Sequence, residues 1–277
     1  MSSLMNPRRV TTRPVAARVA RVGRFALTLT AAILGACAAT PPTVPPMLTA
    51  AQIEAIVAAP DRSSADRVND ARRKPAEMLA FIGVRPGMVA LDLSAGGGYT
   101  TELLARAAGP TGRVYGQSRP RDASRPAPAR TSAMALAERA KKPAAASIAA
   151  VERPFESPAP PGLEADAFDV VTIMFDYHDL GSMGVDRARM NAAVFAALRH
   201  GGVYVVADHA GRPGTGISES NTTHRIEEAF LKREIEAAGF RVAAEGLFLR
   251  NPNDPRDRET PEPPQPKDEI VLKFVKP

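Results

Sequence analysis

The sequence predicts an α/β fold: a mostly parallel sheet with helices on both faces and an antiparallel edge strand. Three observations lead there. Short apolar runs bounded by Gly and Pro alternate with stretches of helical periodicity. Two of these runs, AFDVVTIMF and VYVVADH, are apolar nearly throughout, as strands buried on both faces of a parallel sheet are. The last two runs, RVAAEGLFLR and EIVLKFVKP, have no helix between them, which implies an antiparallel pair at one edge.

The elements follow in order. KPAEMLAFIG opens with Pro75 in the first turn and closes on Gly83, with Met78, Leu79 and Ile82 on one face, so it reads as a short capped helix. VRPGMVALDLS turns at Pro86-Gly87 into an apolar strand, and Gly96, Gly97 and Gly98 follow. TTELLARAAGP is a helix with Leu103, Leu104, Ala107 and Ala108 inward, ended by Gly109-Pro110. GRVYG is a short strand, RPRDASRPAPAR a loop, TSAMALAERAKK a helix, SIAAVERP a third strand and ESPAPPG a proline-rich loop. After AFDVVTIMF, DRARMNAAVFAALRHGG is a helix with Asp186 as N-cap and Gly201 as stop. VYVVADH is the next buried strand. HRIEEAFLKREIEAAGF then places Ile226, Phe230, Ile235 and Ala238 on one stripe. The final two strands are joined by a long Pro- and Asp-rich connection, whose Asp/Arg-rich stretch near residues 253–258 reads as a solvated loop or, alternatively, a lid.

Length and charge narrow the function classes. The chain has 277 residues, enough for one large or two small domains. Its single cysteine excludes an internal disulfide and a Cys-rich zinc module. The net charge of +6 comes entirely from Arg8, Arg9, Arg13, Arg18, Arg21 and Arg24; beyond residue 36 the chain carries 30 basic and 30 acidic side chains. A basic footprint for nucleic acid is therefore not expected on the folded part.

Those arginines precede an apolar run from Phe25 to Ala36, too short for a membrane span and right for a secretory signal. It ends Leu34-Gly35-Ala36-Cys37, similar to the lipobox of bacterial lipoproteins, in which the cysteine is lipidated. The expectation is a signal peptide over 1–36. A Pro-rich tether and the start of an N-terminal helix follow over 37–60, and a catalytic-type domain over 61–277. The protein would sit in the bacterial cell envelope, lipid-anchored to the membrane through Cys37, or periplasmic.

The chemistry lies in VALDLSAGGGYTTELLA. A strand ends at Asp92, a glycine turn follows and a helix begins, so backbone can approach a ligand closely and a carboxylate can meet an ammonium or hydroxyls. The stretch is similar to the first motif of class I S-adenosylmethionine-dependent methyltransferases. PAEMLAFIGVRPGMVALDL resembles that superfamily's first helix and strand, AFDVVTIMFDYHDL its fourth strand and AALRHGGVYVVADH its fifth. The ending, with LFLRNPND and IVLKFVKP, resembles a group of uncharacterised bacterial predicted methyltransferases with a lipoprotein-type signal. The resemblance spans roughly residues 70–277. It implies a Rossmann-like sheet, S-adenosylmethionine as cofactor, and methyl transfer to a small-molecule or lipid-like acceptor. It implies that Asp92, Gly96, Gly97, Gly98, Tyr99 and Gln117 bind the cofactor.

Two positions depart from the family pattern. Ser94 stands where the first glycine of the turn is common. Gln117 ends the second strand, where an acidic residue usually grips the ribose; a glutamine can still hydrogen-bond a hydroxyl. The turn also does not match the G-x-G-x-x-G of dinucleotide-binding dehydrogenases.

The histidines complete the candidates. Ligands of doubly wound sheets sit at the carboxyl ends of strands. There Asp176, His178, Asp179, Asp208 and His209 are expected on one rim, with His224 just before a helix. Asp176, His178 and His209 are the catalytic candidates, one of them removing a proton from the acceptor. The same His and Asp side chains suit a divalent transition metal. His200 reads as a charge at a helix C-terminus, and Glu152 as a carboxylate near the adenine. Because S-adenosylmethionine is made in the cytoplasm, the export signal also admits two other readings. One is a non-enzymatic exported binding or accessory protein on the same scaffold; the other is a metal-dependent envelope enzyme using the Asp/His rim.

Overall fold

The structure is a computed structural model, and it describes residues 44–122, 124 and 131–277. The expected signal segment 1–36 and the lipidation site Cys37 lie outside the described residues. The seven strands are β1 (Val89–Leu93), β2 (Arg113–Ser118), β3 (Ile148–Glu152), β4 (Phe168–Met174), β5 (Leu198–His209), β6 (Arg241–Gly246) and β7 (Glu269–Val275). They form one sheet in the order β3-β2-β1-β4-β5-β7-β6. The first five run parallel. β7 runs antiparallel to both β5 and β6, so the last strand is inserted inside the closing pair and β6 is outermost.

Three helices precede the sheet: α1 (Ala50–Ala58), α2 (Ser64–Arg73) and α3 (Pro75–Ile82). A capping box of Thr49 with Gln52 starts α1, and the Ser63 hydroxyl accepts from the Asp66 amide at the start of α2. Pro75 bars the right-handed helical conformation at Lys74. Lys74 takes φ 44° instead, ending α2 and starting α3 at a sharp corner. This corner brings α2, which the sequence reading passed over, to the edge of the sheet where β1 ends. Ile53 of α1 packs into the same core as Leu79 and Ile82 of α3, and the compact unit covers residues 44–277.

The remaining helices are α4 (Tyr99–Ala108), α5 (Ser132–Arg139), the short α6 (Asp179–Ser182), α7 (Arg187–Ala197) and α8 (Glu228–Glu236). Two cores sandwich the sheet. Leu103, Leu104 and Leu136 of α4 and α5 join α1 and α3 on one face; Val194, Leu231 and Ile235 of α7 and α8 cover the other. The period of two along β1 sends Ala90 to the first core and Leu91 and Leu93 to the second. Asp92 therefore faces α4.

The structure corrects several local readings. The seventh helix ends at Ala197, not at Gly201. Leu198 already pairs with Phe168, and Gly201 takes φ 74° while its amide bonds the Lys276 carbonyl. His200 is thus a strand residue, its ring on the carbonyl of Pro277 at 2.7 Å, and not a helix-terminal charge. Ile226 lies ahead of α8 and bridges Ala210. The 253–258 connection is not simply solvated: Asp254 is buried and pairs with the buried Arg225 at 2.8 Å. Among the described residues no helix is long and apolar enough to cross a membrane.

Candidate functional site

The glycine turn and the end of β4 border a cleft of about 260 Å3. Its walls are Asp92, Ser94, Gly96, Gly97, Tyr99, Thr100, Met174 and Asp176, joined by Asp66, Asn69 and Arg73 of α2 and Arg139 of α5. Asp92 is 2% exposed, and its two oxygens accept hydroxyls from Thr101 at 2.6 Å and Thr172 at 2.7 Å. Burial outweighs those bonds and pushes its carboxyl up to about 6. Asp176 is also raised, mainly by burial, with Asp208 and Asp179 adding to it against the pull of the Ser94 hydroxyl.

The three glycines do different work. Gly96 takes φ 54°, where a Cβ would meet only the Ser94 carbonyl at 4.0 Å, and a Cβ on Gly97 would meet only Ala135 at 4.0 Å. Gly98 takes φ 85°, and a Cβ there would strike Leu136 at 2.7 Å and Arg139 at 2.9 Å. Gly96 and Gly97 leave backbone open to the cleft; Gly98 makes room for α5.

Two expected cofactor contacts are occupied by the protein itself. Gln117 is fully buried and does not line the cleft. Its carbonyl oxygen Oε1 accepts the Ser94 amide at 2.9 Å, and its Nε2 donates to the Arg153 carbonyl at 2.6 Å. It clamps the turn to the end of β3 instead of offering an amide to a ribose. Tyr99 keeps its ring at the cleft but donates its hydroxyl to Asp70 at 2.6 Å, and Asp70 in turn pairs with Arg62 at 2.7 Å. Glu152 is exposed at the end of β3.

Arg73 is the residue that the sequence reading missed. Its guanidinium lies 5.0 Å from the Tyr99 ring centre and 4.9 Å from that of Phe175. Its Nε is buried without a hydrogen-bond partner, and among the described residues no carboxylate forms an ion pair with it. Burial and the neighbouring Arg72 hold it below the usual guanidinium range. Arg139, by contrast, is bound to Asp66 at 2.6 Å, to Glu102 at 2.5 Å and to the Gly97 carbonyl at 2.7 Å. The signal in the sequence was the helical spacing of Asp66, Asp70 and Arg73 behind a Ser N-cap.

The structure brings His178, Asp179, Asp208 and His224 together. Phe175 at φ 65° turns the chain out of β4 and presents Asp176, Tyr177 and His178. His178 is 3% exposed; its Nδ1 lies 2.6 Å from Asp208, which also accepts the His178 and His209 amides. This carboxylate fixes the proton on Nδ1 and leaves Nε2 as the free ring nitrogen. Burial lowers the His178 pKa, but Asp208, Asp179 and Asp176 outweigh it, and the net shift is upward. His209 is shifted downward by burial. Its Nδ1 is 3.2 Å from Glu269 but out of line for a hydrogen bond, so that atom stays unsatisfied. Asp179 lies 3.2 Å from Nε2 of His178 and 2.9 Å from Nδ1 of His224.

Beside the cleft lies a second cavity of about 730 Å3, lined by Arg72, Lys74, Phe248, Leu249, Lys267 and Glu269 among others. Arg72 in its wall and Arg73 in the wall of the cleft both lie against the Phe175 ring, 4.8 Å and 4.9 Å from its centre.

No protein-family model matches the chain, and no curated protein matches it. Solved structures do. A SAM-dependent methyltransferase from Aquifex aeolicus is 16% identical, with 82% of this chain and 100% of that one covered and a TM-score of 0.53. An arsenic(III) S-adenosylmethionine methyltransferase from Chlamydomonas reinhardtii is 16% identical, covering 83% and 73%, with a TM-score of 0.51. The [4+2]-cyclase SpnF is 15% identical, covering 74% and 82%, with a TM-score of 0.51. The fold is therefore the Rossmann-like fold of S-adenosylmethionine-dependent methyltransferases, and the cyclase shows that this fold hosts other chemistry as well.

Proposed function

We propose that this chain transfers a methyl group from S-adenosylmethionine to a small-molecule or lipid-like acceptor. The observation that carries the reading is Arg73, a partly buried cation with no ion-paired carboxylate among the described residues, set beside open glycine backbone at the carboxyl ends of β1 and β4. An orphaned guanidinium Nε fits the carboxylate of an amino acid. When bound, the cofactor supplies an electrophilic methyl group. Asp92 forms the floor of the site and holds Thr101 and Thr172 in place. The cleft is smaller than the ~300–1,000 Å3 of most ligand pockets, so it suits the amino-acid end of the cofactor.

Asp176 is the group for taking the acceptor's proton, because its raised pKa brings it closer to working pH. The neighbouring cavity, with Lys74 and Lys267, an Arg72–Glu269 pair at 2.8 Å and apolar Phe248 and Leu249 in its walls, suits an acceptor with an anionic and an apolar part. Envelope attachment through Cys37 belongs to the same proposal and rests on the sequence before it. Cys37→Ser should release the protein from membranes, and unchanged retention would count against lipidation.

A second reading, an exported binding protein on this scaffold, draws on Gln117, whose amide is committed to the backbone. Calorimetric titration with S-adenosylmethionine separates the ligand question from catalysis. Micromolar binding that Arg73→Gln weakens supports the cofactor site. No binding at millimolar ligand limits the likeness to fold.

A further inference from the structure

We infer that His178, Asp179 and His224 form a binding site for a divalent transition metal ion of the zinc class. Each offers one ligand atom, and the three atoms lie within 4.8 Å of one another. Two of the separations, 3.2 Å and 2.9 Å, approach the ~3.3 Å edge of a tetrahedron with ligand bonds near 2.0–2.1 Å. Neutral imidazoles and a carboxylate oxygen are the donor set such ions take.

The geometry favours positive charge at this point, either a metal ion or a second proton on His178. Asp208 holds the proton of His178 on Nδ1, so a neutral His178 aims the lone pair of Nε2 at the Asp179 carboxylate. Two lone pairs 3.2 Å apart repel unless a proton or a metal ion lies between them. The Asp208–His178 contact is also the carboxylate–histidine arrangement that orients metal-ligating imidazoles and raises their basicity. His178 is buried, while the side chains of Asp179 and His224 are 25% and 39% exposed. Three protein ligands with one open side describe a site that keeps a position for water or a substrate atom.

The inference does not depend on methyl transfer, and its test reads the metal directly. The whole protein, freed of metal with a chelator and dialysed, is titrated with zinc chloride by calorimetry at a pH above 7. Cobalt(II) is then added and its visible absorption recorded. One equivalent should bind with micromolar or tighter affinity, and cobalt should show the intense bands of a four- or five-coordinate site. His224→Ala and Asp179→Asn should each weaken binding by about tenfold or more, in line with the loss of a ligand from a small set. Both positions are partly exposed, and an unchanged melting temperature in the metal-free state certifies each variant. His200→Ala removes a remote, exposed histidine and should change nothing. Absence of binding overturns the inference and leaves a second proton on His178 as the cation. Binding that survives both ligand variants, or is lost in His200→Ala, overturns it as well.

Discussion

Around the glycine turn, α2, α4 and α5 bring Asp66, Glu102, Arg106 and Arg139 together, and these charges satisfy one another. Arg139 bridges Asp66 and Glu102, and Arg106 bridges Glu102 and Asp61. Along the histidine rim the arrangement differs. One fully buried carboxylate, Asp208, binds inward-facing donors, and the outer atoms of His178, Asp179 and His224 converge, with Asp179 3.2 Å from Nε2 of His178 and 2.9 Å from Nδ1 of His224. The first region closes a surface, because its charges have partners within the fold. The second gathers ligand-type atoms at one partly open point, and beside it the Nε of Arg73 and the Nδ1 of His209 are buried without a hydrogen-bond partner. In this molecule the polar groups to follow are the ones left unpaired after the internal network is complete.

The largest expected effect tests the anchor of the open region. Asp208→Ala strands three donors, two backbone amides and the His178 ring, and should cost about 3–5 kcal/mol in denaturant unfolding. A loss below 1 kcal/mol would mean that the rim does not depend on this carboxylate.

Asp92 should behave in the opposite sense. Its folded pKa of about 6 lies above the unfolded 3.8, so folding takes up a proton between these values and stability falls as pH rises through them. Above pH 7 the buried charge costs about 3 kcal/mol. Asp92→Asn should then be as stable as the parent or more so at pH 8, with the slope between pH 4 and 6 flattened. Equilibrium unfolding across that range checks it, and a large loss at pH 8 would show that the two threonine bonds dominate.

The two glycines sharpen the contrast further. Gly98→Ala combines positive φ with a clash against Leu136 and should cost about 1–3 kcal/mol. Gly97→Ala has room and should leave the melting temperature unchanged while weakening S-adenosylmethionine binding. Equal losses in the two variants would erase the distinction between a packing glycine and a ligand-facing one.

The histidines give a smaller, directional effect. The contribution of His178, whose folded pKa is raised, is complete below the unfolded 6.5 and is lost as pH rises through the folded value. His209, whose pKa is lowered, contributes fully above 6.5, and that is lost as pH falls toward its folded value. Proton NMR titration should show the two resonances displaced in opposite directions, with His178 moving down in Asp208→Asn. Smallest of all, Lys141→Ala breaks an exposed pair with Glu138 and should stay within about 0.5 kcal/mol.

Much of the fold was legible in the residues themselves. Strand and helix periods, the Pro75 and Gly83 boundaries and the Asp186 cap are local signals, and the structure keeps them. Of the site, the glycine turn, Asp176 and the His178–Asp208 rim were legible because the carboxyl ends of parallel strands converge whatever the sequence between them. The role of Gln117 was not. Whether a side chain at a strand end faces a ligand or its own backbone depends on a neighbouring loop, here the carbonyl of Arg153, 36 residues away. Nor was the end of the seventh helix, because the pull of β7 on Gly201 comes from the far end of the chain.

The sequence by itself determined the alternating elements, the glycine turn and which polar residues stand at strand ends, since these follow from spacing and local backbone preference. Only the tertiary structure decided which of those polar groups meet and which remain unpaired. The corner at Lys74 carries Arg73 to Tyr99 and Phe175, and the turn before α8 carries His224 to Asp179, 45 residues distant. Pairing across such distances is set by how helices pack on the sheet, and no local period encodes it.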